Sequence, residues 1–231
     1  MTGVQTCALP ILAYVVHVVD DEAIHVPMAV TEAHNADFDG DEGALMFPQS
    51  YTVKAEAEYL MLVDYNLLHQ GRPVINLRQH ASLGLILLSE LTAEDSFSPL
   101  SFFHIWSQAY QVPYSSHMVP TQKQWVAPPA AFVAWEEALR ETEQKTAVAY
   151  KGPFSGVALL EALWPPDFQV NQVIVQGKLL RPFKKEDLNT TEGLLFAYIQ
   201  QYGFVTAAHF LSQLYAVTYA FIAHKIGRAH V

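Results

Sequence analysis

The pattern of apolar and polar positions changes several times along the first half of the chain. Between residues 12 and 31, β-branched side chains form two runs that are separated by the acidic sequence Asp20-Asp21-Glu22. This pattern is typical of two strands joined by a turn. Residues 35–43 are rich in acids and glycine, which predicts a loop, and residues 52–63 are helix formers. The loop is therefore predicted to lie between a strand and a helix.

The next stretch predicts a short strand, a helix and then a change of organisation. Residues 73–76 favour a strand, and the strongly apolar residues 81–91 favour a helix. Residues 97–110 are rich in aromatic side chains, and residues 111–129 contain four prolines. Because proline-rich stretches favour surface loops and domain boundaries, we predict a boundary near residue 95.

Three helices and a hairpin are predicted for the second half. Residues 130–145 have the spacing of an amphipathic helix. The apolar runs on either side of Gln176-Gly177 suit a hairpin with a two-residue turn, in which glycine takes a positive φ angle. Two further helices are expected over residues 191–202 and 204–224, separated by Gly203.

Both ends of the chain have an unusual sequence. Residues 1–11 and 226–231 read like translations of a sequencing adapter, so we leave both out of the fold prediction. The other interpretation of the start, a short secretory signal, lacks a basic region and an apolar stretch of the usual length. We therefore expect an internal piece of a longer protein.

Composition and charge narrow the class of protein. Cys7 is the only cysteine and lies in the suspected adapter, so the remainder has no disulfide or thiolate metal site, which fits an intracellular protein. A net charge of −10 argues against a protein that grips nucleic acid with its whole surface.

Polar residues such as His209 interrupt the apolar residues 204–223, which favours a buried helix and no membrane partner. No metal-ligand spacing is seen for His25, His69, His104, His117 and His209, and these are predicted to be surface or core residues.

One loop carries residues with clear chemical potential. Asp37, Asp39 and Asp41 alternate along the chain, and Gly40 permits a bend that can bring their carboxylates together. A hard cation such as Mg²⁺ would relieve the repulsion, and three protein oxygens would leave about half of its octahedral shell open. An EF-hand would need glycine and glutamate where Glu42 and Pro48 stand. A plain acidic surface turn remains the other interpretation.

Longer motifs around this loop resemble a known family. The heptapeptide from Asn35 to Asp41 resembles the signature of the largest subunit of multi-subunit RNA polymerases. The resemblance is strong to about residue 95 and looser afterwards. The other matching motifs are Ile24-His-Val-Pro-Met-Ala-Val-Thr, Phe47-Pro-Gln-Ser, Ala55-Glu-Ala-Glu, Leu60-Met, Asn66-Leu-Leu, Arg72-Pro-Val-Ile, Leu83-Gly-Leu, Phe154-Ser-Gly, Leu159-Leu-Glu-Ala-Leu-Trp-Pro-Pro-Asp and Val173-Ile-Val-Gln-Gly-Lys-Leu-Leu.

The resemblance implies an α+β fold and a DNA-directed RNA polymerase activity. Residues 12–95 would form the segment of a double-psi β-barrel that presents the aspartate loop, together with the helices that follow it. Residues 96–225 would form a mixed helical and strand pore domain. Asp37, Asp39 and Asp41 would hold the catalytic Mg²⁺, and Asn35 would lie near the ribose of the nucleotide or primer end. For Asn35 alone, a turn-forming side chain is the other interpretation. The implied partners are the second-largest subunit and other polymerase subunits, the DNA template, the RNA product and nucleoside triphosphates.

Several positions depart from the family pattern, and two rival functions remain. Glu42 is similar to the archaeal, eukaryotic and large-DNA-virus branch, since the bacterial branch usually has glutamine there. Gly43 stands where the family has methionine, Met46 where it has histidine, His34 where tyrosine is usual and His80 where aspartate is usual. The rivals are an RNA-directed RNA polymerase of the RNA-silencing type and a non-catalytic scaffold that retains the barrel.

Overall fold

The computed structural model describes residues 11–91, 97, 101, 102, 105, 108, 109, 154–188 and 190–229, with backbone alone for residues 226–229. Helices of 4 to 26 residues and two small hairpins pack around one hydrophobic core in this part of the chain. The expected α+β class is therefore confirmed. The helices with defined bounds are α1 (Thr31–His34), α2 (Tyr51–Glu56), α3 (Gln79–Glu90), α4 (Gly156–Glu161), α5 (Leu194–Tyr202) and α6 (Phe204–Ala229).

The two strands predicted between residues 12 and 31 are not formed, so this prediction is wrong. The described residues there make a single isolated parallel bridge, Ala13 with Leu62, and Met28–Val30 form a 3₁₀ turn that leads into α1. A strand needs a neighbour along its length for its backbone N–H and C=O groups, and among the described residues this segment has only the bridge at Ala13. The described residues therefore do not form the expected double-psi barrel.

The helix predicted over residues 52–63 is present in a modified form. The regular helix α2 covers Tyr51–Glu56, and a π-helical turn continues it through Ala57–Met61. The Ser50 side chain caps its start by accepting a hydrogen bond from the Val53 amide at 3.3 Å. A 3₁₀ turn, Val63–Tyr65, follows and packs against α6.

Two hairpins share one turn chemistry. In the first, β1 (Leu68–His69) pairs with β2 (Arg72–Pro73) across Gln70-Gly71; in the second, β3 (Ile174–Val175) pairs with β4 (Lys178–Leu179) across Gln176-Gly177. Both turn residues have positive φ angles in each case, 50° and 75° in the first and 49° and 70° in the second. These values are those of a type I′ turn, which follows the twist of the strands.

The second hairpin agrees with its prediction, and the first was missed. The strand predicted over residues 73–76 begins earlier, at Arg72, and ends at Pro73. The signal that could have found it is the Gln-Gly dipeptide that predicted the second hairpin.

Helix α3 lies at the centre of the core, against α6 and α4. It buries Ala81, Leu85 and Leu88, and Gly84 allows a close approach of α6. A Cβ atom added to Gly84 would lie 3.0 Å from the Cβ atom of Thr218, so even alanine would push the helices apart. The predicted helix over residues 81–91 is confirmed.

The last two helices also agree with their predictions. Helices α5 and α6 meet at Gly203, whose φ angle is 84°. Residues 204–225 of α6 are long and apolar enough to span a membrane by length and composition alone. One face of this helix, however, packs onto α3 and α5. Among its described residues, the buried side chains are Ala207, Phe210, Leu211, Leu214, Val217, Thr218 and Phe221.

Some predictions concern residues outside the described part of the chain. They are the boundary near residue 95, the proline-rich residues 111–129, the amphipathic helix over residues 130–145, and the surroundings of His104 and His117.

Candidate functional site

The aspartate loop begins where α1 ends in a left-handed turn. Asn35 has φ 47° and ψ 40°, and its amide donates to the Glu32 carbonyl at 3.1 Å. The Ala36 amide donates to the Thr31 carbonyl at 2.9 Å. This pair of bonds is a Schellman motif, which stops a helix and redirects the chain. Asparagine is one of the few residues that adopt this conformation readily, so Asn35 helps to form the turn.

The base of the loop is held by the core. Ala29, Val30 and Ala33 are buried, which places the 3₁₀ turn and α1 against the remainder of the protein. At the exposed side of α1, Glu32 forms an ion pair of 3.2 Å with Arg78, the residue before α3. The loop therefore projects from an ordered base.

The three carboxylates lie close together at the tip of the loop. One oxygen from each of Asp37, Asp39 and Asp41 can be chosen so that all three lie within 4.8 Å of one another. The backbone supports this arrangement, because the Asp37 amide donates to the Asp41 carboxylate at 3.1 Å. The Asp39 amide lies 3.4 Å from a carboxylate oxygen of Asp37. Gly40, with φ 123°, provides the bend between the second and third acids. The expected convergence is thus seen in the geometry, while the catalytic role of these residues stays a prediction.

A hydrogen bond between two carboxyl groups, together with their mutual repulsion, dominates the electrostatics at Asp39. A hydrogen bond with the Asp37 carboxyl and the negative charge of that group raise the pKa of Asp39 above its ordinary value, and the charge of Asp41 adds to this. All three side chains are exposed. A shared proton or a bound cation would relieve the repulsion. Exposed acidic groups are also common without a metal, so geometry alone leaves the acidic-turn interpretation open.

The other residues singled out in the sequence lie at different positions. The side chain of Asn35 is exposed beside the loop, and Gly43, Met46 and His80 are exposed as well. His34 is half-buried and contacts Tyr14 through a hydrogen bond. His25 and His69 are exposed, while His209 is half-buried near Asp64 on the Val63–Tyr65 turn. These described histidines fit the prediction of surface or core residues.

Sequence reasoning missed the contacts that support the loop. Tyr14 lies 20 residues from His34, and Tyr215 bonds to the backbone of Asn76 and Arg78 across more than 130 residues. No local pattern carries a signal for pairs at such separations.

Large apolar side chains around the loop are unusually exposed. Val18 is 96% exposed and Tyr51 is 93% exposed. Phe38, next to the second aspartate, is also mostly exposed. A monomeric protein rarely leaves so many apolar groups of one segment uncovered. Others in this segment are Val16, Val19, Ile24, Leu45, Met46, Phe47, Tyr59 and Leu60.

Comparison with known proteins identifies similar sequences. A family model described as RNA polymerase Rpb1, domain 2, matches residues 8–63, which include the aspartate loop. The subunit beta′ of DNA-directed RNA polymerase from Acholeplasma laidlawii is 40% identical over 89 residues, or 38% of this chain and 6% of that protein. The same subunit from Oceanobacillus iheyensis is 37% identical over 112 residues, covering 46% of this chain and 9% of that protein.

Part of this chain is therefore similar to a segment of the largest subunit of RNA polymerases. The matched region spans less than a tenth of the relatives' length. A third relative, from the onion yellows phytoplasma, is 44% identical over 78 residues and is again a subunit beta′. All three relatives are bacterial, so they do not support the archaeal, eukaryotic and viral branch that Glu42 indicated.

Proposed function

We propose that this chain is part of the catalytic subunit of a DNA-directed RNA polymerase, which transfers nucleotides from nucleoside triphosphates to an RNA 3′ end. The observation that carries the proposal is the convergence of Asp37, Asp39 and Asp41 within 4.8 Å. This convergence lies inside the segment that matches the RNA polymerase family model.

The donor set fits Mg²⁺. Three carboxylate oxygens are the hard ligands that this cation prefers, and the raised pKa of Asp39 reflects a crowded charge that a cation would stabilise. Asp37, Asp39 and Asp41 would hold the ion, acting as ligands and not as general acids. Bound there, Mg²⁺ would lower the pKa of the RNA 3′-hydroxyl and neutralise charge on the reacting phosphate.

The residues around the loop would hold and orient the substrates. The side chain of Asn35 is exposed at the start of the loop and would contact the ribose of the incoming nucleotide or of the primer end. The left-handed turn at Asn35 fixes where the loop leaves α1, so the backbone and the side chain of this residue would serve the same site.

The rest of the subunit and its partners would complete the fold. The exposed β-branched residues between 12 and 31 would pair with strands from missing segments to close a double-psi barrel. The second-largest subunit and other subunits would supply basic side chains for the DNA template, the RNA product and the nucleoside triphosphates. This division fits the net charge of −10 and an intracellular enzyme.

The proposal is made at the level of the subunit, because Glu42 and the bacterial relatives point to different branches. An RNA-directed RNA polymerase of the silencing type is the nearest rival, and the pore-like motifs after residue 150 argue against it. A template-preference assay on the full-length enzyme separates the two.

The decisive experiment compares two neutralising variants in the full-length subunit, assembled into its polymerase. Asp39→Asn removes a metal ligand, so RNA extension should fall by at least about a hundredfold. Glu42→Gln removes the same charge three residues away and should leave extension within about twofold, since the residue is not a proposed ligand. Normal extension by the Asp39→Asn enzyme would make a non-catalytic scaffold the better account.

The isolated chain should be inactive and should bind Mg²⁺ weakly, because substrates complete the coordination shell. Tight binding in a calorimetric titration of the chain alone would contradict this expectation.

A further inference from the structure

The short helix α1 needs support from outside itself. It contains four residues, and an isolated helix of this length has no stability in water. Its last residue, His34, directly precedes the left-handed turn at Asn35 that opens the aspartate loop. Any fraying at His34 would therefore change the position of the loop.

A side-chain contact holds this end of the helix. The Tyr14 hydroxyl lies 2.5 Å from Nε2 of His34, and the two rings are 5.9 Å apart. Burial raises the pKa of Tyr14 to about 12, so the hydroxyl keeps its proton at neutral pH and can donate a hydrogen bond to the imidazole. The contact is half-buried, which protects it from competing water.

Tyr14 is itself anchored through its neighbour in the chain. The Ala13 amide donates to the Met61 carbonyl at 2.8 Å, and the Val63 amide donates to the Ala13 carbonyl at 3.1 Å. Val63 opens the 3₁₀ turn that packs against α6. A continuous set of bonds thus connects the interior to the end of α1.

We propose that Tyr14 and His34 are positioning residues for the aspartate loop: their hydrogen bond keeps the end of α1 closed, so that the three carboxylates keep their mutual distances. This inference rests on the proposed function, because positioning matters to the extent that the loop binds a metal. Tyrosine is usual in the resembled family at the position of His34. The hydrogen bond between Tyr14 and His34 would therefore be particular to this chain.

The test uses single and double variants of the whole chain. Tyr14→Phe removes the hydroxyl and keeps the ring, and His34→Phe removes the acceptor. His34→Gln keeps a polar group at about the position of Nε2 and should rescue the contact. Tyr65→Phe is the matched control, since it removes a hydroxyl from a more exposed tyrosine in the same half of the chain. Unfolding midpoints first establish that each variant is folded.

Two measurements are made on each variant. Amide hydrogen exchange at Asn35 and Ala36 reports the two bonds that close α1, and electron paramagnetic resonance reports binding of Mn²⁺ as a probe for Mg²⁺. Tyr14→Phe and His34→Phe should each speed exchange about fivefold and weaken Mn²⁺ binding about threefold. The double variant should be no worse than either single variant, because both remove one interaction. His34→Gln and Tyr65→Phe should stay within about twofold of the parent chain.

Unchanged exchange at Ala36 in Tyr14→Phe and His34→Phe would overturn the inference, and so would a His34→Gln variant as impaired as His34→Phe. Asp39→Asn distinguishes this failure from that of the proposed function. If the parent chain and Asp39→Asn bind Mn²⁺ equally, the loop is not a metal site, whereas the exchange data still decide whether the contact holds α1.

Discussion

Two backbone conformations that few residues adopt define the shape of the aspartate loop. Asn35 has a φ angle of 47° and Gly40 one of 123°. The first is tolerated by asparagine, and the second lies in a region that is nearly exclusive to glycine. The loop therefore depends on particular residues even where they carry no charge.

Replacing Gly40 by alanine should weaken metal binding without unfolding the protein. A Cβ atom at Gly40 would meet nothing within 4 Å, so the cost is backbone strain alone, about 1–3 kcal/mol. Because the loop is exposed, it should relax and lose its geometry, which would reduce Mn²⁺ affinity about tenfold. Gly43→Ala is the control, because its φ angle is not in the positive range and its Cβ atom would meet only Ile24, at 4.0 Å. Equal effects of the two substitutions on Mn²⁺ titrations would contradict this prediction.

His209 should make the stability of the protein depend on pH. Burial lowers the pKa of His209, and the charge of Asp64 opposes this shift only in part. The folded state therefore favours the neutral imidazole, and this stability is complete above the ordinary pKa of about 6.5 and is lost as the pH falls below it.

Asp64 acts in the opposite direction, because burial raises the pKa of its carboxyl group. The folded state therefore binds a proton at Asp64 more readily than the unfolded state does, and this gives stability toward acid pH. His209→Gln should flatten the decrease in unfolding free energy from about pH 7 to about pH 5. Urea titrations at several pH values measure this dependence of the unfolding free energy on pH. The control is His69→Gln, because His69 is exposed. A parent chain whose stability is already flat over this range would refute the assignment.

The local signals in the loop were readable from the sequence. The alternating acids and the glycine that permits the bend all lie within the seven residues 35–41. The convergence of Asp37, Asp39 and Asp41 could therefore be predicted. The contact of His34 with Tyr14 could not, because it depends on how two distant segments pack.

Among the elements, the two type I′ hairpins provide an internal comparison. Their turns have the same dipeptide and nearly the same φ angles, yet Gly71 faces open space and Gly177 lies against Pro166. The indole N–H of Trp164 also donates to the Gly177 carbonyl at 2.9 Å. The second turn is therefore part of the core, and the first is not.

Alanine should be far more damaging at Gly177 than at Gly71. Both substitutions force a side chain into the left-handed region, at a cost of about 1 kcal/mol. At Gly177 the new Cβ atom would also lie 2.8 Å from the Cα atom of Pro166, and backbone atoms cannot move aside cheaply. This overlap should add about 2 kcal/mol. Chemical denaturation of the two variants gives the difference directly, and similar losses would argue that the contact with Pro166 relaxes freely.

Elements with a strong period or turn signal were predictable, and elements that need a partner were not. The helices α3, α5 and α6 and the second hairpin follow from apolar spacing, glycine and turn residues. Residues 12–31 have the composition of strands, but composition cannot supply the neighbouring strand that the backbone requires. The segment therefore remains irregular.

For the whole molecule, long-range contacts join the loop-bearing part to the last helix. The Tyr215 hydroxyl accepts a hydrogen bond from the Arg78 amide at 2.9 Å and donates one to the Asn76 carbonyl at 2.8 Å. The backbone amide of Asn76 in turn donates to the carbonyl of Ala29, just before α1, at 3.4 Å. The start of α3 is thereby fixed between α6 and the base of the aspartate loop.

Removing this hydroxyl should destabilise the protein measurably. Tyr215→Phe leaves the Arg78 amide and the Asn76 carbonyl without this partner, which should cost about 1–3 kcal/mol. Tyr219→Phe is the matched control one turn further along α6, where the side chain is 36% exposed. Urea denaturation should show a loss for the first variant and almost none for the second. A loss of the same size in both would contradict the role of the two hydrogen bonds made by the Tyr215 hydroxyl.

The exposed apolar side chains around the aspartate loop also affect how the chain behaves in a cell. Residues 15–60 carry exposed apolar side chains, among them Val18 and Phe47, that the described part of the chain does not shield. Inside a cell, such a stretch is a natural client for chaperones and a starting point for aggregation. Quality control would thus act on this stretch wherever its cover is incomplete.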